Sequence, residues 1–415
     1  MIQKTLVLLF ILCSGFLMAQ EGTSSPYSFY GIGLQKFKGT TENRSMGGLS
    51  IQQDSIHINL QNPAAYGALK LTTFTVAANY NGLRLSNAND DTSYKDNATL
   101  EYFAIGIPIG KFGVGLGVTP LSAVGYNVRS EFQNNIQERF SGSGGVNKVY
   151  LSTGVSLTKN FSVGLEVNYN FGNIENRFIL FQQGSLFQTR ELNETDLSGV
   201  GLTFGVNYQT KISDKLTLVT SITSTPPSKL DTDTTSELAQ VNVQAEGRET
   251  VIRRQDIDAV DNEVDLPAEV KVGFGIGEDK KWLIGAEYNY RDSEDQATIN
   301  FAPDEVFYKS GFRTKLGGYY IPNYRSLTSY FNRVIYRAGI RFERSGLVVN
   351  NKDIDEFGMS FGIGLPVSNA FSSLNLGLEV GQRGTTSAGL VKENFFNFSL
   401  SLSLNDKWFR QIKFN

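Results

Sequence analysis

From Thr72 onward the chain alternates apolar and polar residues with a period of two, with no helical periodicity between the runs. In the clearest run, Phe161, Val163, Leu165, Val167, Tyr169 and Phe171 alternate with Ser162, Gly164, Glu166, Asn168, Asn170 and Gly172. Val200, Leu202, Phe204, Val206 and Tyr208 do the same, as do Phe396, Phe398, Leu400, Leu402 and Leu404 against asparagine and serine. One such strand suits any sheet with a single wet face. A long series, each about the length of an oblique bilayer crossing, suits a transmembrane barrel. The runs lie near 72–85, 98–109, 112–119, 147–157, 161–178, 198–209, 216–225, 267–277, 282–291, 308–321, 333–343, 356–366, 374–382 and 394–405. The expected fold class is therefore all-β: an antiparallel up-and-down barrel of about fourteen strands, an even number as such barrels require.

The connections sort by length. Those at 110–111, 158–160, 211–215 and 278–281 are tight turns, assigned to the periplasm. Those at 120–147, 181–196, 226–266 and 292–307 are long and polar, assigned to the exterior. Trp282, Tyr288, Tyr290, Tyr169, Phe171, Trp408 and Phe409 fall near strand ends, where interfacial girdles belong. Strand parity places Glu166, Lys271, Glu287, Arg313, Lys315, Arg337, Arg341, Glu343 and Glu379 toward the lumen. Facing lipid at mid-depth would cost about 2–4 kcal/mol for each Arg or Lys. Networks of arginine and carboxylate that hold the barrel and its contents in register are the expectation; ligand binding by Arg337 or Arg341 is the alternative.

The residues before the strands divide into three. Residues 1–20 carry Lys4, an apolar run at 6–12 and a small-residue end near Ala19-Gln20, the order of a cleaved secretory signal. Cys13 lies inside that run behind a bulky Leu12, so the mature chain carries no cysteine for disulfides or thiolate metal sites. Residues 21–43 read as an irregular segment in the periplasm or the lumen. Residues 44–71 read as an internal hatch, with 72–415 as the barrel. In the hatch Gly47 and Gly48 allow a tight turn or a close approach. Asn62 is an N-cap, Pro63 suits the first helical position, and Ala64 follows in a short helical turn.

Composition narrows the function. Loss of Lys4 takes the formal charge from −3 to about −4, without the basic footprint of a nucleic-acid partner. The chain has one histidine, His57, near Asp54, and no nucleophile at motif spacing; a hydrogen-bonded polar hatch residue is the reading, not an enzyme. Asp231, Asp233, Asp256, Asp258, Asp261, Glu263 and Asp265 make an acidic outer loop whose spacing is not that of an EF-hand, and no cofactor or metal is expected. Gly113, Gly115 and Gly117 alternate along one strand with no helix after them, which leaves room for the hatch or bends the strand.

The order of a signal, Ser45-Met-Gly-Gly-Leu-Ser-Ile, the acidic Asp54, Asn62-Pro-Ala-Ala-Tyr-Gly-Ala-Leu and then a barrel resembles the long-chain fatty-acid transporter (FadL-like) family. The match rests on Gly47, Gly48, Asp54, Asn62, Pro63 and Ala64, and beyond them on strand number and alternation. The end, Ser399 to Phe409, resembles the terminal strand by which such barrels address the barrel-assembly machinery, although this chain continues to Asn415. The resemblance implies residence in the outer membrane of a Gram-negative bacterium, in contact with its lipid, and a fourteen-stranded barrel plugged from its N-terminus. It implies passive passage of small hydrophobic compounds, with a strand kink opening a lateral gap. It equally admits a non-transporting subunit of an outer-membrane secretion or barrel-assembly complex, with outer-membrane or periplasmic proteins as partners.

Overall fold

A computed structural model describes residues 22–243, 248–258, 263–294, 296, 306–367 and 372–407. The expected signal, Asp261, Trp408 and Phe409 lie outside the described residues. Fourteen wall strands follow one another in chain order: β1 Thr72–Ser86, β2 Thr92–Ile109, β3 Phe112–Arg129, β4 Ile136–Ser156, β5 Phe161–Gln182, β6 Gln188–Lys211 and β7 Thr217–Thr225. The second half comprises β8 Ala268–Glu278, β9 Trp282–Asp292, β10 Gly311–Tyr320, β11 Ile335–Val349, β12 Lys352–Val367, β13 Ser372–Arg383 and β14 Lys392–Asp406. Each pairs antiparallel with the next, and β14 returns to β1 from Asp406↔Thr72 to Lys392↔Ser86, closing the ring. Pairing each strand to its neighbours around a closed ring is what allows strands to span a bilayer. Every run of alternation falls on one of these strands, including the weakly patterned 308–321.

Side-chain exposure follows parity. On β5, Leu165, Val167, Tyr169 and Phe171 are exposed, while Glu166, Asn168 and Asn170 are buried inside the ring. The same holds on β14 for Phe396, Phe398 and Leu400 against Asn397, Ser399 and Ser401.

Two expectations about the connections need correction. The stretches at 120–147 and 181–196 are not loops but the far ends of strands. β3 and β4 stay paired to Arg129↔Arg139, and β5 and β6 to Leu180↔Thr189. The connection 226–266 contains strand Ser228–Val243, paired with the far end of β6, and strand Glu249–Ile257 beside it. The reason is a phase inversion. Within the band ending at Phe171 the apolar residues point outward; beyond it they point inward, and Ile174 is buried while Asn173 is exposed. Outside lipid, a sheet reverts to the soluble rule of apolar in and polar out. Second, length does not sort the two ends cleanly. The end that holds Thr72 and Asp406 (the terminal end) carries tight turns but also the connection 321–334. The far end carries the two-residue turn Asn350-Asn351, both at positive φ, as a type I′ hairpin requires.

Candidate functional site

Residues 22–71 lie within the ring and pack against its inner face. Ser25 caps a 3-10 turn at Pro26–Phe29, its hydroxyl accepting from the Tyr27 amide at 3.2 Å. Tyr27 packs with Leu347, Val349, Ile354 and Leu390 and donates to the Val391 carbonyl at 2.7 Å, at the far end. Phe29 and Ile32 join the inward-turned Leu121, Val124, Val146, Ile174, Leu197 and Leu230 in one apolar cluster. Burying each such side chain contributes roughly 1.5–3 kcal/mol, and this cluster keeps the tall far ends of β3–β6 standing as sheet. The short helix α1 Thr41–Arg44 starts from a capping box between Thr40 and Asn43.

Residues 44–69 cross the middle of the ring over two rows of glycine. Gly113, Gly154, Gly164 and Gly205 stand directly opposite one another on β3 to β6. A Cβ at Gly164 would lie 2.3 Å from the Pro63 carbonyl carbon, and one at Gly113 would lie 1.9 Å from the Tyr66 carbonyl oxygen. Gly275, Gly285, Gly317 and Gly339 form the second row on β8 to β11, beneath Ile51 and Met46. The wall is thus shaved to backbone where the segment touches it. Alternating glycines on β3 pointed to this; the register that aligns them across strands did not show in the sequence.

Polar groups fix the same segment. The Gly47 amide donates to Ser360 Oγ at 2.8 Å, and both Gly47 and Gly48 are at positive φ. Lys315 Nζ donates to the Gly48 carbonyl at 2.9 Å and to Glu287 at 2.5 Å, while Ser50 donates to Glu287 from its amide (2.9 Å) and hydroxyl (2.6 Å). Asn62 accepts from the Ala64 amide at 3.0 Å, capping the 3-10 turn Pro63–Ala68, and Ala64 is fully buried. Asp54 and His57 lie apart from these anchors, on the terminal-end face, joined Oδ2 to Nδ1 at 2.8 Å. Burial pushes the Asp54 carboxyl up, but the His57 charge and hydrogen bond outweigh it and hold the group at about 2. Burial pushes the His57 imidazole down, and Asp54 more than reverses this, raising it above its usual value.

The charges singled out by parity as inward are paired, Arg337 apart. Glu166 accepts from Lys148 and Ser152, each at 2.9 Å. Glu379 takes Arg341 at 2.7 Å, Asn397 at 3.0 Å and, at 3.7 Å, Arg44. Arg44 itself reaches Glu101 at 2.6 Å, so the segment is tied into the wall network through two strands. Arg341 also pairs with Glu356, which pairs in turn with Arg383. Arg337 differs: among the described residues it makes no ion pair, only a bond to Asn375 Oδ1 at 3.1 Å. Parity reveals Lys148 and Glu356, but not Glu101. Ala77 faces Tyr102 while Ala78 faces Leu100, so Glu101 sits on a bulge that turns both it and Tyr102 inward.

That bulge marks the base of a seam. β2 and β3 pair only from Ile109↔Phe112 to Phe103↔Val118, although β2 continues to Thr92 and β3 to Arg129. Above Val118 the edge of β3 is met from within. Leu34 and Gln35 pair with Ala123 and Ser122, and the Lys36 amide donates to the Leu121 carbonyl at 3.0 Å. The Gly125 amide donates to Ser28 Oγ at 3.1 Å, and Ser122 Oγ donates to the Ile32 carbonyl at 2.7 Å.

The fold is thus a closed fourteen-stranded antiparallel β-barrel with a bulged second strand, a seam beside it and an N-terminal segment across the lumen. The chain belongs to the BamG family, whose model matches residues 1–415. No curated protein matches the sequence. Among solved structures, a Pseudomonas aeruginosa FadL homologue is 12% identical, with 90% of this chain and 99% of that one covered at a TM-score of 0.57. The Pseudomonas putida toluene transporter TodX is 14% identical, with 90% and 99% covered at 0.58. A TodX deltaS2S3 mutant, described as a monoaromatic hydrocarbon channel, is 14% identical, with 88% and 98% covered at 0.58. At these identities the likeness is one of fold.

Proposed function

We propose that this barrel admits small hydrophobic compounds from outside the cell and releases them sideways into the outer membrane between β2 and β3, with residues 28–36 as the closure and residues 44–71 as a hatch. The carrying observation is the seam. A wall strand whose ladder stops at Phe103, beside one whose edge is satisfied from within by Leu34 and Gln35, can part without breaking a strand pair. The toluene transporter and hydrocarbon channel of like fold support the reading. In this orientation the far end is extracellular. A tag at Thr234 labels on intact cells and one between Asp279 and Lys280 does not; labelling of the second alone inverts the topology. The transport test is uptake of toluene by cells with and without the protein: faster entry supports passage, and equal entry refutes it.

A second reading, a structural subunit of an outer-membrane secretion or barrel-assembly complex, draws on a different observation. The lumen is packed with ion pairs rather than lined by an apolar pocket, and the sheet of β3 to β6 with Ser228–Val243 rises well beyond the apolar band. The family name BamG is in keeping with it. Mild-detergent purification with mass spectrometry separates the two: stable protein partners favour the subunit, bound apolar compounds the channel.

A further inference from the structure

Between the far-end cluster at Tyr27 and the hatch crossing lies a cavity of about 160 Å³, bounded by the wall and by the N-terminal segment. Among the described residues, seven cationic side chains line it against four carboxylates. Arg44, Lys315, Arg341 and Arg383 sit in ion pairs, Lys315 and Arg383 reaching Glu287 and Glu393 just outside the lining, and Arg313 donates to Glu343 at 2.7 Å. Lys36 and Arg291 are left. Among the described residues neither makes an ion pair: Lys36 Nζ donates to the Gly22 carbonyl at 2.8 Å alone, and Arg291 to Gln296 Oε1 at 3.0 Å alone. The surplus is not met next door, where Lys38 and Lys271 share the single carboxylate of Glu269. Counted with these neighbours, nine cations stand against seven carboxylates, an excess of two. Arg291 is on the inward face of β9, in phase with the buried Glu287 and Asn289. It and Lys36 also share the lining of a small adjoining space of about 20 Å³, so the two cations stand close together. Tyr308 joins them: a Cβ at Gly31 would lie 2.7 Å from its hydroxyl and 3.2 Å from Gln296 Nε2, the amide that Arg291 holds.

We propose that this cavity binds a small tetrahedral dianion, sulfate or hydrogen phosphate, between Lys36 and Arg291, with the Tyr308 hydroxyl as a neutral donor. An unanswered charge inside a protein is costly, and an ion with two negative charges answers both cations at once. A monoanion leaves one of them unmet. Guanidinium and ammonium groups form strong charge-assisted hydrogen bonds to oxyanions, and both still have unused protons here. The volume admits such an ion and not a long alkyl chain. Bound there, the ion ties Lys36 of the N-terminal segment to wall strand β9.

The test uses the intact barrel in detergent, in a buffer free of sulfate and phosphate. Sodium sulfate, sodium acetate and sodium octanoate are each titrated by calorimetry at constant ionic strength. Sulfate should saturate at one ion per chain, and acetate, with a single charge, should bind about ten-fold or more weakly, the equivalent of about 1.4 kcal/mol. Lys36→Gln and Arg291→Gln should each weaken sulfate by a similar factor, with folding read by heat-modifiable migration. Absence of saturable sulfate binding, acetate binding as tight as sulfate, or sulfate binding undiminished in both variants overturns the site. Octanoate bound more tightly than sulfate overturns it too, and assigns the cavity to alkyl carboxylates. The comparison of the three salts needs only the wild-type chain, so it stands even if a variant fails to fold. Failure here leaves toluene uptake, which depends on the seam, untouched.

Discussion

β5 with β6 and β2 with β3 are neighbouring pairs of one wall built to different ends. The first is laddered from Phe161↔Tyr208 to Leu180↔Thr189 without a break, through the lipid band and beyond it. The second is laddered over Phe103–Ile109 alone and then leaves its partner to the N-terminal segment. Where both strands remain paired, the wall depends only on itself. Where they separate, its integrity depends on residues that are not part of the wall. The stretch of wall that relies on the N-terminal segment is thus confined to the height above one bulge.

The largest effect expected from breaking this contrast lies in the continuous pair. Leu165→Arg puts a guanidinium on the lipid face of β5, where Leu165 is 39% exposed. At about 2–4 kcal/mol this should abolish or sharply reduce insertion, read as loss of the heat-modifiable folded band. Normal insertion would mean that this face does not meet lipid.

At the seam, deletion of 28–36 removes the partners of Leu121, Ala123 and Gly125. Each backbone group left unpaired there costs about 1–3 kcal/mol, yet the fourteen wall pairings survive, so the barrel should insert and become permeable. Planar-bilayer conductance and entry of a large antibiotic check it. An inserted barrel with wild-type conductance would assign the closure to other residues.

A buried ion pair tests how far the inner segment is tied to the wall. Lys315→Met leaves Glu287 without its cation and Gly48 without its donor, and should cost about 3–5 kcal/mol in urea unfolding. The double change Lys315→Met, Glu287→Gln should recover most of that. A single-variant loss below 1 kcal/mol would show that the segment is held by its glycine rows alone.

The smallest effect is pH-dependent and sits at the mouth. His57 is raised when folded, so its stabilisation is complete below its unfolded pKa and fades as pH rises through the raised value. Asp54 is depressed to about 2, so its share holds above its unfolded pKa and fades as pH falls toward that value. The difference between wild type and His57→Asn should therefore peak between about pH 4 and 6.5 and stay near or below 1 kcal/mol. A difference that grows at pH 9 would contradict the pair.

The alternation of single strands carried far. Leu165 outward and Glu166 inward follow from parity alone, because a strand has two faces and a bilayer admits one kind of residue on one of them. Gly47, Gly48 and Asn62 were legible as turn and cap residues for the same kind of reason: a positive φ and an N-cap are local demands. The far ends of β3 to β6 were not legible, since their outward residues, such as Asn173 and Glu175, look like loop. Their inward Ile174 has meaning only once Phe29 and Ile32 lie against the same cluster.

What the sequence by itself determined, then, is the wall: strand number, antiparallel order and the facing of side chains within the band where apolar residues point outward. All of these rest on a two-residue period and on the solvents either side of it. What only the tertiary structure decided is the interior and the joint. Four glycines on four strands become a groove only when register sets them opposite one another. Arg44 finds Glu101 only because a bulge turns that residue inward. The seam exists because pairing stops at Phe103, and nothing in β2 or β3 taken singly says where a ladder ends. Register, bulge and seam are relations between strands distant in sequence, and the energy that selects them is summed over the closed ring.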